Sequence, residues 1–160
     1  MNKEHYARIM NWGDEHTKEK KGLCSLNHGL PLLLALIYGG VILRCLFFSP
    51  MQLTHLILRP VICFLLATFL RKILKFPRPY DVYQIPPMCD YKPGKNRSLP
   101  SRHTAAAFII AFEVCRIIQP IGILCMILSV LIGSLRVICG NHFIKDVLSA
   151  FILALVIFLV

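Results

Sequence analysis

Five stretches of this chain are dominated by apolar side chains, and its polar residues gather between them rather than within them. Leu30 to Phe48 and Met51 to Leu70 are the first two, parted by Ser49-Pro50. His103 to Ile118, Ile121 to Leu135 and Phe143 to Val160 follow, with Gln119-Pro120 parting the third from the fourth. Runs of this kind differ from the alternation or narrow stripe of a half-buried element, and they approach the ~20 residues a helix needs to cross hydrocarbon. An all-α, polytopic membrane helix bundle of about five spans is expected. A helix from His103 to Ile118 reaches only about 24 Å at about 1.5 Å per residue, so tilt or local thinning of the bilayer is expected there. Arg59 and Pro60 interrupt the second span; a charge at that depth should snorkel or face protein, and is read as packing or a lipid-facing kink.

Residues 1–22 contrast with these runs. They carry Lys3, Glu4, Arg8, Asp14, Glu15, Glu19, Lys20 and Lys21 and lack the apolar core of a signal peptide. Tyr6, Ile9, Met10 and Trp12 could give a short interfacial helix an apolar edge; a disordered tail is the alternative. The expected division is a polar N-terminal segment, 1–22, and a single membrane domain, 23–160, without internal repeats.

Composition supports the bilayer as solvent: 56% of the residues are hydrophobic and mean hydropathy is +0.65, above the roughly 45–50% apolar content of soluble domains. Net charge is +10, which attracts anions. Eight of the 18 Lys and Arg residues fall between Arg71 and Arg102, namely Arg71, Lys72, Lys75, Arg78, Lys92, Lys95, Arg97 and Arg102. With no basic soluble domain, nucleic acid is excluded as a partner. The segment Phe76 to Pro100 also holds six prolines, so it reads as a long loop, and long loops are usually functional or disordered. The seven cysteines show no metal-ligand or redox spacing and are read as small buried hydrophobes. Cys89 is in the polar loop, but a Cys-x5-Arg phosphatase reading fails because Lys95 stands at the arginine position.

Counting spans brings three polar clusters to one membrane face, as a site built from distant parts of the chain requires. The first, Arg71 to Pro79, holds Arg71, Lys72 and Arg78, cations that can clamp phosphoryl oxygens or merely anchor a helix at the interface. The second, Leu99 to Thr104, places Ser101 as an N-cap and Arg102 and His103 at a helix start, where free backbone N–H groups favour an anion. Beside a phosphate, His103 can protonate a departing alkoxide. The third, Ser134 to Asp146, contains Arg136 and the pair His142 and Asp146. Four residues apart on a helix, these two share a face, so the carboxylate can hold one ring nitrogen and leave the other free to attack.

The order and spacing of the clusters resemble the type 2 phosphatidic acid phosphatase superfamily, with its pattern Lys-x6-Arg-Pro, Pro-Ser-Gly-His and Ser-Arg-x5-His-x3-Asp. Arg78-Pro79, Pro100-Ser101, His103, Arg136, His142 and Asp146 match. The chain departs from the pattern at Arg71 for the lysine, Arg102 for the glycine and Leu135 for the serine, with Lys72 and Ser134 each one position out of place. The resemblance implies that His142 forms a phosphohistidine, Asp146 orients it and His103 protonates the leaving group. Arg71, Lys72, Arg78, Ser101, Arg102 and Arg136 would hold the phosphoryl oxygens, and no metal or cofactor is expected.

The expected function is hydrolysis of a lipid phosphate or diphosphate, a polyprenyl diphosphate or a glycerophospholipid phosphate, whose tail stays in the bilayer. The alternative is a catalytically inactive membrane protein that binds or carries anionic lipid headgroups. Retention of His103, His142 and Asp146 favours the enzyme. The expected location is the cell membrane. Family resemblance places the site on the non-cytosolic face, whereas the charge-rich loop points inward by the positive-inside tendency; the loop's charges have a catalytic reason to be there, so the outward placement is preferred.

Overall fold

The computed structural model describes residues 1–94 and 97–160; Lys95 of the basic loop lies outside them. Seven helices follow one another: α1 (Lys3–Glu15), α2 (Thr17–Phe48), α3 (Pro50–Leu74), α4 (Pro79–Tyr83), α5 (Arg102–Ile117), α6 (Gln119–Ile138) and α7 (Ile144–Leu159). The fold is all-helical, and α2, α3 and α6 are long and apolar enough to cross a membrane. The helices α5 and α7 have 16 residues each, or about 24 Å, so the count of five spans is approximate. Phe47, Leu65, Phe69, Leu131, Ile152 and Val156 are among many large apolar side chains left exposed on the outside of the bundle, as a lipid-facing surface requires.

The helix α5 sits centrally, packed against α3, α6 and α7, and its Ala105, Ala107, Ile109, Ala111 and Val114 are buried. Small residues let these helices approach closely, since packing rather than hydrophobicity drives association in lipid. A Cβ on Gly122 would lie 2.2 Å from Cys115 Cα, and one on Gly133 would lie 2.9 Å from Val147 Cγ1. Arg59 faces protein: its guanidinium is 2.9 Å from the buried Glu113 carboxylate, which Arg116 also approaches at 3.6 Å. Both alternatives left open for Arg59 thus resolve to packing.

Proline inside a helix removes an N–H and frees the carbonyl four residues earlier. Both internal prolines put that carbonyl to use between helices. Pro60 frees Leu56 O, which accepts the Tyr38 hydroxyl at 2.6 Å. Pro31 frees Asn27 O, which lies 3.5 Å from Arg136 Nη2.

Two boundaries differ from the sequence expectation. The helix α2 begins at Thr17, well before the apolar run at Leu30, because residues 17–28 hold no proline and continue the helix beyond the apolar zone. The polar N-terminal segment is therefore divided between α1 and α2. Tyr6 and Met10 of α1 are buried against Tyr80, Met88 and Cys139, and Trp12 is half-exposed. The loop from 76 to 100 is organised by α4, with Tyr80 donating to Lys92 O at 3.0 Å and Gly94 N–H to Asp81 Oδ1 at 3.0 Å.

Candidate active site

The C-terminal ends of α3 and α6 and the N-terminal ends of α5 and α7 meet the 76–100 loop around a cavity of about 390 Å³. Arg71, Lys72, Arg78, Arg102, His103, Arg136 and His142 all line it, joined by Lys92 and Arg97. Three clusters far apart in sequence are thus brought together. Asp90 is the single acidic residue among the lining groups, so the cavity is strongly cationic.

His142 does not sit on a helix. It precedes α7, in the turn that follows Gly140, which corrects the expectation that the pair shares a helical face. The turn achieves the same approach: His142 and Asn141 both donate their backbone N–H to Arg136 O, at 3.1 and 3.0 Å. Asp146, at the third position of α7, reaches back to the Phe143 N–H at 2.9 Å, which satisfies an otherwise orphan donor of the helix start. The same oxygen, Oδ2, lies 3.3 Å from His142 Nδ1. A carboxylate accepts only, so Nδ1 carries the proton and Nε2 keeps its lone pair. Complete burial pushes the His142 ring down to about 4, with the Arg78 and Arg71 cations acting in the same direction and Asp146 opposing them. The ring is neutral, hence nucleophilic, at pH 7.

Ser98 is a component that sequence reasoning missed. Fully buried, it donates its hydroxyl to Asp146 Oδ2 and lies 3.3 Å from His142 Nδ1. Its own N–H is held by Phe76 O at 3.0 Å. Its position just before the Pro100-Ser101 cluster was the available signal.

The cations are held individually. Arg71, 6% exposed, donates to Pro100 O at 3.3 Å, tying the first cluster to the second. Arg78 lies 5.7 Å over the Tyr80 ring and Arg102 5.6 Å over that of Phe64. Arg136 Nη1 is 3.3 Å from Asp90 Oδ2, and Asp90 is itself approached by Asn27 Nδ2 at 3.3 Å and His28 Nε2 at 3.6 Å. Asp90, Asn27 and His28 also escaped sequence reasoning, although Asp90 is the only acid between Asp81 and Glu113. The Nε atoms of Arg78 and Arg136 are buried without a partner among the described residues.

Ser101 occupies the N-cap position of α5 but makes no capping bond; its buried hydroxyl accepts the Thr104 hydroxyl at 2.9 Å, and its N–H donates to Asp146 O at 3.0 Å. It stands behind the cavity wall and ties α5 to α7. The first turn of α5 is thereby left without a side-chain cap at the wall of the cationic cavity, where free backbone N–H groups favour an anion. Ser134 lies in an apolar groove between α6 and α7, away from the cations. Among the described residues, no three His, Cys, Asp or Glu side chains converge as metal ligands.

A membrane helix bundle with a cationic cavity at one end, and a buried His–Asp pair facing it, defines the class of molecule. The sequence profile of the PAP2 superfamily matches residues 52–160, and the chain belongs to that superfamily. The crystal structure of Aquifex aeolicus LpxE shares the fold with a TM-score of 0.70 and 22% identity, covering 98% of this chain and 91% of that one. So does the crystal structure of the first transmembrane PAP2 type phosphatidylglycerolphosphate phosphatase from Bacillus subtilis, with a TM-score of 0.66 and 21% identity over 98% and 82% of the two chains. No sequence among curated proteins matches the chain.

Proposed function

We propose that this integral membrane protein is a lipid phosphatase acting through a phosphohistidine at His142. The observation that carries the reading is the buried imidazole of His142, held by Asp146, in a cavity lined by seven Lys and Arg residues. Nε2 attacks phosphorus, the bond from phosphorus to the lipid oxygen breaks, and His103 donates a proton to the departing alkoxide. Burial and the Arg136 and Arg102 cations hold the His103 ring down to about 4, so the negative charge of the bound phosphate is what lets it carry that proton. Positive charge that develops on the imidazole is balanced by Asp146. Arg71, Arg78, Arg102 and Arg136 neutralise the phosphoryl oxygens, the positioning and charge stabilisation that phosphoryl transfer needs, so the reaction requires no metal. Water then releases phosphate from His142.

The substrate class follows from how the cavity meets the bilayer. On α3 the cavity-lining Thr68, Arg71 and Lys72 are preceded, toward the middle of the membrane, by Phe64, Leu65, Val61 and Ile57, which line an apolar cleft on the outer surface shared with Tyr38 and Ile42 of α2. A phosphate held by the cations would leave its hydrocarbon tail in that cleft, which suits a polyprenyl diphosphate or a glycerophospholipid phosphate. The family resemblance supports a site on the non-cytosolic face. Phosphate release by purified protein in detergent, from phosphatidic acid and from undecaprenyl diphosphate with EDTA present, tests this. Release from at least one that disappears in His142→Ala is expected. Release that EDTA abolishes and a divalent ion restores would contradict the metal-free mechanism.

A further inference from the structure

Asn141 lies within the third cluster at a position its pattern leaves unspecified. It is 1% exposed, and neither Oδ1 nor Nδ2 has a hydrogen-bond partner among the described residues. Almost all buried polar groups are paired, and an unpaired one calls for an explanation, because leaving it unsatisfied costs about 1–3 kcal/mol. Its main chain is not free to seek a better position. The backbone N–H is bonded to Arg136 O at 3.0 Å, and the residue is clamped between Gly140, in a left-handed turn at φ 79°, and His142. The residue is part of the lining of the cationic cavity, next in sequence to His142.

What an amide contributes here differs from what its neighbours contribute. The Lys and Arg side chains of the cavity donate and cannot accept. A phosphoryl group is well served by such donors, whereas the water that must attack it needs an acceptor to aim its hydrogens. Asn141 supplies both functions from one rigid group, a donor at Nδ2 and an acceptor at Oδ1, and neither is engaged by another of the described residues.

We propose that Asn141 contacts the reacting group, with Nδ2 donating to a phosphoryl oxygen and Oδ1 accepting from the water that hydrolyses the phosphohistidine. This rests on the lipid phosphatase reading above. In the step concerned, the water oxygen forms a bond to phosphorus as the bond from phosphorus to Nε2 of His142 breaks. The electron pair of that bond returns to the imidazole, the water proton passes to His103, and inorganic phosphate leaves. Without Asn141 the covalent intermediate forms but is resolved slowly.

Asn141→Leu keeps the shape of the side chain and removes both polar atoms. Since an unsatisfied buried amide destabilises, the substitution should leave the thermal unfolding temperature in detergent unchanged or raised. Turnover of dioctanoyl phosphatidic acid should fall by about 10²-fold, the scale for loss of a single transition-state donor. The fraction of enzyme carrying alkali-stable phosphohistidine at steady state should rise. A merely structural Asn141 would give a lower unfolding temperature and lower turnover together, without accumulation of phosphoenzyme, and that outcome overturns the proposal; so does turnover equal to wild type. Wild-type protein without turnover or phosphohistidine would instead overturn the lipid phosphatase reading, and this inference with it.

Discussion

Ser98 and His142 meet at a single oxygen atom, Oδ2 of Asp146, to which Ser98 donates its hydroxyl and which His142 Nδ1 approaches at 3.3 Å. The serine thereby helps fix the carboxylate that fixes the imidazole. Ser98→Ala removes one of the donors to Oδ2 and leaves the Phe143 N–H in place. We expect kcat to fall about tenfold, from a charged hydrogen bond of about 1.5–3 kcal/mol expressed only in part, with KM little changed. Steady-state kinetics of the variant in detergent check this; wild-type kcat would show that Asp146 needs no help from Ser98.

Burial holds the His142 ring at about 4, below the 6.5 of a free imidazole. The unfolded chain binds a proton near pH 6.5 and the folded chain does not until about pH 4, so the stability linked to this group is complete above 6.5 and is lost progressively as pH falls toward 4. His142 stays nucleophilic over the same interval. The kcat/KM profile of the free enzyme should therefore show no acidic limb near pH 6.5 from the nucleophile, and such a limb, abolished together with phosphohistidine formation, would contradict the neutral-imidazole assignment.

Gly140 combines a φ of 79° with a surface shared by α1: a Cβ there would lie 2.7 Å from Tyr6 Oη and 3.0 Å from Met10 Sδ. The Tyr6 hydroxyl also donates to Gly140 O at 3.3 Å. Gly140→Ala is expected to cost about 1–3 kcal/mol from backbone conformation, with further loss from displacement of α1. Activity should fall as well, because the turn carries Asn141 and His142. Thermal unfolding and turnover measured on the same preparation check both parts.

Glu113 is the carboxylate between Arg59 and Arg116 within the bundle. Glu113→Ala leaves Arg59 buried without its anion and should destabilise the protein by about 3–5 kcal/mol. Replacing Arg59 and Glu113 together by leucine should recover much of that loss, since apolar pairs commonly substitute for buried ion pairs. Equal unfolding temperatures for Glu113→Ala and wild type would mean that Arg59 is satisfied by other means.

How far the chain discloses itself depends on the range of the interaction. The apolar runs mark the spans because hydrocarbon contact demands them over about 20 residues, and the spacing within the motifs identifies His103, Arg136, His142 and Asp146, all of which reach the site region. Contacts made across long sequence separations leave no local trace. His28 comes to the cavity, and Asn27 to Asp90 and Arg136, on a helix that continues beyond its apolar run, and nothing near Pro31 announces that the carbonyl it frees faces Arg136. Periodicity also misplaces His142, since four-residue spacing suggests a helix where a glycine turn and a reaching Asp146 side chain give the same proximity. Ser101 has the chemistry of a cap and a phosphate ligand, but its hydroxyl accepts from Thr104 and is buried outside the cavity lining, a placement that only packing decides.

The most direct measurement incubates purified protein with ³²P-labelled phosphatidic acid in EDTA, quenches with alkali and locates the labelled peptide. Label on His142, absent from His142→Ala and greatly reduced in Asp146→Asn, is the expected result. Label on another residue, or substrate hydrolysis undiminished in His142→Ala, would contradict the assignment of His142 as the nucleophile.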